Sequence, residues 1–435
     1  MAERPSGVHN GDGVSHETKN PSVSGRVHIV GTGNVGVFVA HALASRQSKP
    51  PITLLFEKPE LYEVFRQKKF SLTVTYKGLD DVKTGFDAQV LSRGKWYDVF
   101  TPRVKSEAHQ TEASAESGEE SMNMTEESAD YTADTEPIEC LIVCGKAHTV
   151  QSHISSLKHR LRPHSTVLLL HYGLGVVEKL NQVVFPEPET RPHYISGIQN
   201  HGVLRKDHFI ASHTSVGSTI LCPVDPSRTP IVDAETDTQW APTTKYLLRL
   251  LTLTPSLIAT TETPTGLLQY QLERLALECL IGPMTALMDS QNGELLYSFS
   301  ATRVMRLLLF EICSVIYALP ELQGVPGVEH RFAPERLRRL ALHHAWRHPE
   351  RTSTMLQDLQ ARRSMDIDHF NGWVVAQGEK LGIKCVMNYM IQHLVLSKHV
   401  IHFRRNKAAI PMDFDFEKVL ETGMSDDQPI TAKQS

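Results

Sequence analysis

Short apolar runs alternate with helical patterns along the first half of the chain. The apolar runs are typical of buried strands, and the segments between them carry apolar residues at helical spacing. The predicted strands cover residues 27–30, 52–56, 70–75, 88–91, 138–144, 166–171 and 257–260, and the predicted helices begin near residue 34 and cover 148–161 and 243–252. Such alternation predicts an α/β fold with a doubly wound, mostly parallel sheet.

The second half of the chain has the apolar spacing of helices only. Leu272, Leu275 and Cys279 recur at helical intervals, and the same period continues over residues 304–317 and 335–346. We therefore predict that an all-α domain begins near residue 263 and extends to about residue 410, followed by a tail over 411–435.

Two segments lack the apolar residues that a packed core requires. Residues 1–25 and 103–137 are rich in Ser, Glu, Thr, Ala and Gly and contain almost no large aliphatic side chain. Both are predicted to be disordered, the first as a tail and the second as an acidic insertion between two strands. We interpret the insertion as a solvated loop; partner binding or phosphorylation is the alternative.

A glycine-rich turn follows the first predicted strand. Gly31, Gly33 and Gly36 have the spacing GxGxxG at the start of a helix, which in a dinucleotide site serves the turn, the approach of the pyrophosphate and the helix–strand packing. The predicted cofactor contacts of this turn are Gly31, Gly33, Asn34, Val35 and Gly36. Glu57 after the second strand favours the ribose hydroxyls of NADH, whereas the adjacent Lys58 favours the 2′-phosphate of NADPH. We predict a dinucleotide-binding domain over residues 26–262.

Composition excludes several other classes of protein. The 435 residues carry a formal net charge of −4, which gives no basic field for nucleic acid, and no apolar run is long enough for a membrane span. The six cysteines have no CxxC spacing, and His344 and His348 lack a third ligand, so we predict no metal site. A reducing compartment fits best: cytoplasmic, with the mitochondrion left open. Cys140 and Cys144 are interpreted as small core residues.

Four motifs together resemble the ketopantoate reductase (2-dehydropantoate 2-reductase) family. They are GTGNVG at 31–36, VCGKA at 143–147, CLIGPMTALMDSQNGEL at 279–295, and the pair STMLQD at 353–358 with DIDHFNG at 366–372. The resemblance extends over roughly residues 26–395, apart from the insertion. It implies a Rossmann-type domain, a helical domain like that of 6-phosphogluconate dehydrogenase, and NADPH-dependent reduction of a branched 2-keto acid in pantothenate biosynthesis.

The resemblance also assigns site residues. It places Lys146 near the nicotinamide as a catalytic residue, Ser353 at the substrate carboxylate and Asp366 at the substrate hydroxyl. Arg274 stands where the family has its catalytic lysine, and a guanidinium, with a pKa above about 12, stabilises an alkoxide but does not donate the proton. Ser353 and Asp366 also have a structural interpretation, as helix-cap and helix-terminus residues.

Three further positions depart from the family pattern. Tyr172 replaces an asparagine that contacts cofactor and substrate, and it is assigned to the cofactor site. Gly282 replaces another asparagine. Glu278, assigned to the substrate site, lies one helical turn after Arg274, where it could pair with the guanidinium.

Two functions stay open at this stage: a 2-keto acid reductase that uses NADPH, or NADH, and a catalytically impaired dinucleotide-binding protein with a regulatory or assembly role. A relative of 6-phosphogluconate or hydroxyisobutyrate dehydrogenases is a third alternative without a matching substrate motif. A homodimer through the helical domain is compatible with any of them.

Overall fold

The computed structural model describes residues 23–99, 101, 135–224, 240–347 and 349–404. The predicted tail over 411–435, most of the N-terminal tail and most of the predicted insertion lie outside these described residues. His348 of the discounted metal site lies outside them as well.

Thirteen strands form two sheets within the described residues. They are β1 (Val27–Val30), β2 (Ile52–Phe56), β3 (Leu72–Tyr76), β4 (Leu79–Lys83), β5 (Asp87–Ser92), β6 (Lys95–Val99), β7 (Cys140–Cys144), β8 (Thr166–Leu170), β9 (His193–Gln199), β10 (Gly202–Asp207), β11 (Ile210–Ser215), β12 (Thr219–Val224) and β13 (Ala259–Thr261). The larger sheet has nine strands in the order β13-β12-β9-β8-β7-β1-β2-β5-β6, and the smaller has four in the order β10-β11-β3-β4.

The larger sheet is the predicted doubly wound sheet. Its central strands, from β9 through β8, β7, β1 and β2 to β5, are all parallel, whereas β6 and β12 pair antiparallel with their neighbours β5 and β9. Parallel strands must be covered on both faces, and β2, β7 and β8 accordingly read as nearly continuous apolar runs. The predicted mixed fold, a Rossmann-like sheet followed by helices, is confirmed.

Twelve α-helices accompany the sheets in the same part of the chain. They are α1 (Asn34–Ala44), α2 (Pro59–Gln67), α3 (Ala147–Leu157), α4 (Val176–Val183), α5 (Pro242–Thr252), α6 (Pro264–Met288), α7 (Phe299–Ala318), α8 (Val328–Arg331), α9 (Pro334–Arg347), α10 (Thr354–Gln360), α11 (Asn371–Lys380) and α12 (Val386–Arg404). None of them is both long and apolar enough to cross a bilayer within the residues described.

The larger sheet has a separate apolar core on each face. One core contains Ile29, Phe38, Leu54 and Leu247, and the other contains Val30, Val143, Ile154 and Leu169. Neighbouring residues of one strand thus enter different cores, because successive side chains point to opposite faces. Cys140 and Cys144 are buried in the first core, as predicted, and burial raises the pKa of each thiol to about 12.

The chain divides into two compact units. The first contains Met1–Ala276 and Ile316–Phe332, and the second contains Leu277–Val315 and Ala333–Ser435. Two differences from the predicted elements are local: the strand expected at 257–260 is Ala259–Thr261, since Leu257 lies in a 3₁₀ turn, and the helix expected to reach 161 ends at Leu157 before a 3₁₀ turn.

Candidate active site

The carboxyl ends of the parallel strands bring several predicted site residues to one edge of the larger sheet. Gly31 follows β1, Glu57 follows β2, Lys146 follows β7 by two residues and Tyr172 follows β8 by two residues. The register pairs Val30 with Val143, so the adjacent strands β1 and β7 end within one residue of each other. Ligands of open α/β sheets bind at this edge, and the first unit therefore carries the candidate site there.

Each glycine of the turn has a separate physical reason. Gly31 has φ +87°, and a Cβ there would lie 1.6 Å from the Cys144 carbonyl oxygen, so the turn packs directly on the end of β7. A Cβ on Gly36 would lie 2.1 Å from the Gly31 oxygen, which brings α1 close to the turn. At Gly33, by contrast, no described atom outside the glycine and its two chain neighbours lies within 4 Å of the Cβ position.

The N-terminus of α1 has the properties of an anion site. Gly33 is its N-cap residue, its first turn has no acidic residue, and no side chain of the described part of the chain caps it. Exposed N–H groups and the helix dipole favour a phosphate at such an end. Asn34 donates from Nδ2 to the Val203 carbonyl oxygen at 3.3 Å, which ties the turn to β10. The open space at Gly33 and this uncapped end fit a dinucleotide pyrophosphate.

Glu57 lies at the predicted ribose position but has a protein partner. Its Oε2 atom lies 2.9 Å from Nε2 of His153 on α3, and the imidazole is buried. Lys58 is exposed and is the N-cap residue of α2, whereas Lys68 lies 2.6 Å from Asp207. Sequence reasoning missed His153. The signal was present, because His153 falls on the apolar face formed by Val150, Ile154 and Leu157 of α3.

Lys146 is the N-cap residue of α3 and is partly exposed. The carbonyl oxygen of Lys146 accepts hydrogen bonds from the backbone N–H of Thr149 at 3.0 Å and from its hydroxyl at 2.9 Å. These bonds fix the backbone of the β7–α3 turn. The lysine therefore stands on a rigid element at the sheet edge.

Arg274 and Tyr172 lie in direct contact. The guanidinium carbon of Arg274 on α6 lies 4.3 Å from the centroid of the Tyr172 ring, which is the geometry of a cation–π pair. The Tyr172 hydroxyl donates to the Gln199 carbonyl oxygen at the end of β9. Two positions that depart from the family pattern in the sequence are thus one contact in the structure.

A second arginine–tyrosine pair joins Tyr270 of the same helix, α6, to Arg331 of α8. The Arg331 guanidinium lies 4.5 Å from the Tyr270 ring centroid, and Arg331 also pairs with Glu273 at 2.8 Å. Both tyrosine rings pack on one small apolar cluster. This cluster consists of Ile198, Ile220, Cys222 and Leu267.

The second unit contains the remaining predicted substrate residues. Ser353 is the N-cap residue of α10 and accepts a hydrogen bond from the Leu356 N–H at 3.1 Å. Its hydroxyl oxygen lies 2.7 Å from that of Thr285. Asp366 precedes a 3₁₀ turn and accepts from the His369 N–H through its carbonyl oxygen, at 2.9 Å. Glu278 is partly buried on α6.

Two features of this unit explain sequence positions that looked purely functional. A Cβ on Gly282 would lie 3.3 Å from Cε of Met355, so this glycine makes room for the methionine. Asn371, in the motif DIDHFNG, is fully buried and donates to the Cys279 carbonyl oxygen at 3.1 Å and to Oδ1 of Asn388 at 3.0 Å. Asn371 is therefore a structural connector between α11, α6 and α12.

A cavity of about 680 Å³ opens at the opposite edge of the larger sheet. Arg26 and His28 of β1 and the buried Arg160 contribute to its lining, together with Asp87 at the start of β5. It therefore does not belong to the glycine-turn site. Within the residues that the structure describes, no group of three or more His, Cys, Asp or Glu side chains has the arrangement of a metal site.

Comparisons with known proteins define the class. The family model described as ketopantoate reductase PanE/ApbA matches residues 27–226, and its C-terminal counterpart matches residues 267–399. The fold and the site edge are those of a dinucleotide-dependent oxidoreductase with a helical C-terminal region. The chain belongs to the ketopantoate reductase family.

Individual relatives are distant. The chain is 23% identical to a probable 2-dehydropantoate 2-reductase of Schizosaccharomyces pombe, over 86% of this chain and 96% of that one. It is 23% identical to the ketoisovalerate reductase BEA2 of Gibberella fujikuroi, over 80% and 77% of the two chains. The crystal structure of a PanE/ApbA family ketopantoate reductase from Ralstonia eutropha has a TM-score of 0.59 at 18% identity, over 87% and 99%, and supports the fold.

Proposed function

We propose that the protein reduces 2-dehydropantoate to pantoate with NADPH, as a step of pantothenate biosynthesis. The observation that carries the proposal is the cationic Arg274, held on Tyr172 at the sheet edge that also presents the open glycine turn and Lys146. The family and the names of the relatives support the reaction class. NADPH rather than NADH rests on the resemblance and on the exposed Lys58.

The chain's residues divide the work of the reduction. The turn at Gly33 and the N-terminus of α1 would hold the pyrophosphate. When bound, the cofactor supplies a hydride to the carbonyl carbon. The negative charge that then grows on the carbonyl oxygen is stabilised by Arg274, which keeps its proton. Solvent water supplies the proton that completes the alcohol, and Lys146 adds a second positive charge at this edge.

Two residues of the helical unit are proposed to select the substrate. Ser353 would bind the carboxylate, and Asp366 would accept a hydrogen bond from the hydroxyl that 2-dehydropantoate has and 2-ketoisovalerate lacks. Losing a hydrogen bond to a charged acceptor costs about 1.5–3 kcal/mol, or roughly 10- to 10²-fold in kcat/KM. Asp366→Ala should therefore impair turnover of 2-dehydropantoate only. Asp368→Ala, two residues further along at an exposed position, is the matched control and should change the turnover of neither substrate.

A catalytically impaired dinucleotide-binding protein is the alternative. The pairing of Glu57 with His153 and the loss of a proton-donating lysine favour it. A turnover assay with NADPH and each keto acid, beside a fluorescence titration of NADPH, separates the two. Turnover that falls about 10²-fold in Arg274→Ala and is retained or raised in Arg274→Lys supports the reductase. Equal turnover in the parent and Arg274→Ala refutes the role of Arg274, and NADPH binding without turnover selects the alternative.

A homodimer through the helical unit is part of the proposal. Its support is that α12 leaves large apolar side chains exposed, among them Val386, Tyr389 and Leu394, which are 48–63% exposed. Light scattering of the purified protein tests it, and a mass of one chain at micromolar concentration would refute it.

A further inference from the structure

The Tyr172 ring is held at two points. Its face contacts the Arg274 guanidinium at 4.3 Å, and its hydroxyl donates to the carbonyl oxygen of Gln199. The ring also packs on the apolar cluster of Ile198, Ile220, Cys222 and Leu267. A long arginine side chain has several rotatable bonds, and it loses less freedom on binding a substrate when a fixed ring already restricts it.

Stacking leaves the chemistry of the guanidinium intact. A cation–π contact uses the positive charge of the group and consumes none of its N–H donors, which lie in the guanidinium plane. An aromatic face also favours the charged form of a cation that lies over it. Tyr172 therefore restrains the cation without replacing its positive charge or its N–H donors.

We propose that Tyr172 is a positioning residue that fixes the Arg274 guanidinium against the developing alkoxide of the substrate. The proposal rests on the function proposed above and replaces the sequence-based role of Tyr172 as a cofactor contact. Arg274 and Tyr172 thus compensate each other: a permanent cation stands in place of a proton-donating lysine, and the tyrosine ring holds that cation in place.

The test uses the full chain and four variants. Tyr172→Phe keeps the ring and loses the hydroxyl bond, whereas Tyr172→Leu loses the ring. Tyr270→Leu is the matched control, because it removes the other stacked ring from the same apolar cluster and leaves Tyr172 in place. The fourth variant, Arg274→Ala, is combined with Tyr172→Leu in a double-mutant cycle. Steady-state kinetics with NADPH and 2-dehydropantoate are measured beside the melting temperature.

The expected pattern is specific to positioning. Tyr172→Leu should lower kcat roughly 2- to 30-fold, the range that a cation–π contact accounts for, and Tyr270→Leu should change it less than about twofold. Tyr172→Phe keeps the ring beside Arg274 but loses its hydroxyl anchor, so its effect on kcat should be smaller than that of Tyr172→Leu. In the Arg274→Ala background, Tyr172→Leu should have no further effect on kcat. Equal kcat losses in Tyr172→Leu and Tyr270→Leu, or an undiminished effect of Tyr172→Leu without Arg274, would overturn the proposal.

A pH profile adds a measurement that a structural role would not change. Arg274→Lys introduces a titratable cation, so kcat/KM should fall on the alkaline side. Removing the ring from that variant with Tyr172→Leu should lower the apparent pKa of the lysine, because the ring no longer favours its charged form. Tyr270→Leu in the same background should not shift this pKa. An equal pKa with and without the Tyr172 ring would contradict the contact on which the proposal depends.

The proposed function can fail separately from the positioning role. If the parent shows no turnover, the reductase proposal fails, and the same variants are compared in calorimetric binding of 2-dehydropantoate to protein loaded with NADP⁺, where no reduction occurs. Positioning of the cation is supported if Tyr172→Leu binds 2-dehydropantoate more weakly than Tyr270→Leu does, and if this difference disappears in the Arg274→Ala background. The positioning proposal is overturned if all variants bind 2-dehydropantoate with equal affinity, or if none of them binds it.

Discussion

The glycine turn allows cofactor binding and folding to be separated by two substitutions three residues apart. Gly33 has φ −75° and ψ −165°, which any residue can adopt, and its Cβ position has no neighbour within 4 Å among the described residues. Gly33→Val should therefore fold normally. Replacing an N-cap glycine by an apolar residue costs roughly 1 kcal/mol or less, which corresponds to about 2–4 °C in a domain of 150–250 residues.

The effect of Gly33→Val on binding should be much larger. The added side chain occupies the space through which the pyrophosphate approaches the N–H groups of α1. Losing one charge-assisted hydrogen bond costs about 1.5–3 kcal/mol, so the Kd for NADPH should rise at least 10- to 10²-fold. A fluorescence titration of NADPH measures this change.

Gly36→Ala is the matched control for folding. Its Cβ would lie 2.1 Å from the Gly31 oxygen, so α1 or the turn must shift, at a cost of about 1–3 kcal/mol and a fall in Tm of roughly 2–12 °C. The reasoning is refuted if Gly33→Val binds NADPH as tightly as the parent, or if it lowers the Tm as much as Gly36→Ala does.

Three further outcomes are expected. Deleting residues 103–134, which supply almost no large aliphatic side chain, should leave the Tm nearly unchanged, and a fall of many degrees would show that they pack on the fold. Asn371→Ala removes the donor to Cys279 and Asn388 inside the helical unit and should lower the free energy of unfolding by about 1–3 kcal/mol in urea titrations; an unchanged midpoint would argue against the connector role. Burial, and after it the charges of Arg160 and Arg26, lower the pKa of His28 to about 3. As the pH falls below about 6.5, the imidazole is therefore protonated in the unfolded chain while it is still neutral in the folded one. The free energy of unfolding should therefore decline toward acid pH, and in His28→Gln this decline should be smaller by up to about 1.4 kcal/mol per pH unit. The same dependence of the free energy of unfolding on pH in parent and variant would contradict this account of His28.

Local patterns in the sequence predicted most of the elements because each has a short-range cause. Nearly continuous apolar runs identified β2, β7 and β8, and the glycine spacing identified the turn, in which Gly31 and Gly36 leave no room for a Cβ. The smaller sheet was not recognised as a separate layer. One signal was available: α1 is apolar nearly all round and is buried from Gly36 to Leu43, because it lies between the two sheets, in contact with β3, β10 and β11 as well as β1 and β7.

The candidate site, too, could be predicted from the sequence only in part. The sequence determined which chemical groups follow each strand, and the parallel order of the strands places Gly31, Glu57, Lys146 and Tyr172 at one edge. It did not determine what these groups contact, since the partners are far apart along the chain. In the sequence, Tyr172 and Arg274 are two separate losses of residues that the family uses in its site. Only the packing of α6 against the end of β8 places the guanidinium over the ring. Glu57 likewise acquired its partner His153 from the packing of α3, because a side-chain contact depends on the relative placement of elements that no local pattern encodes.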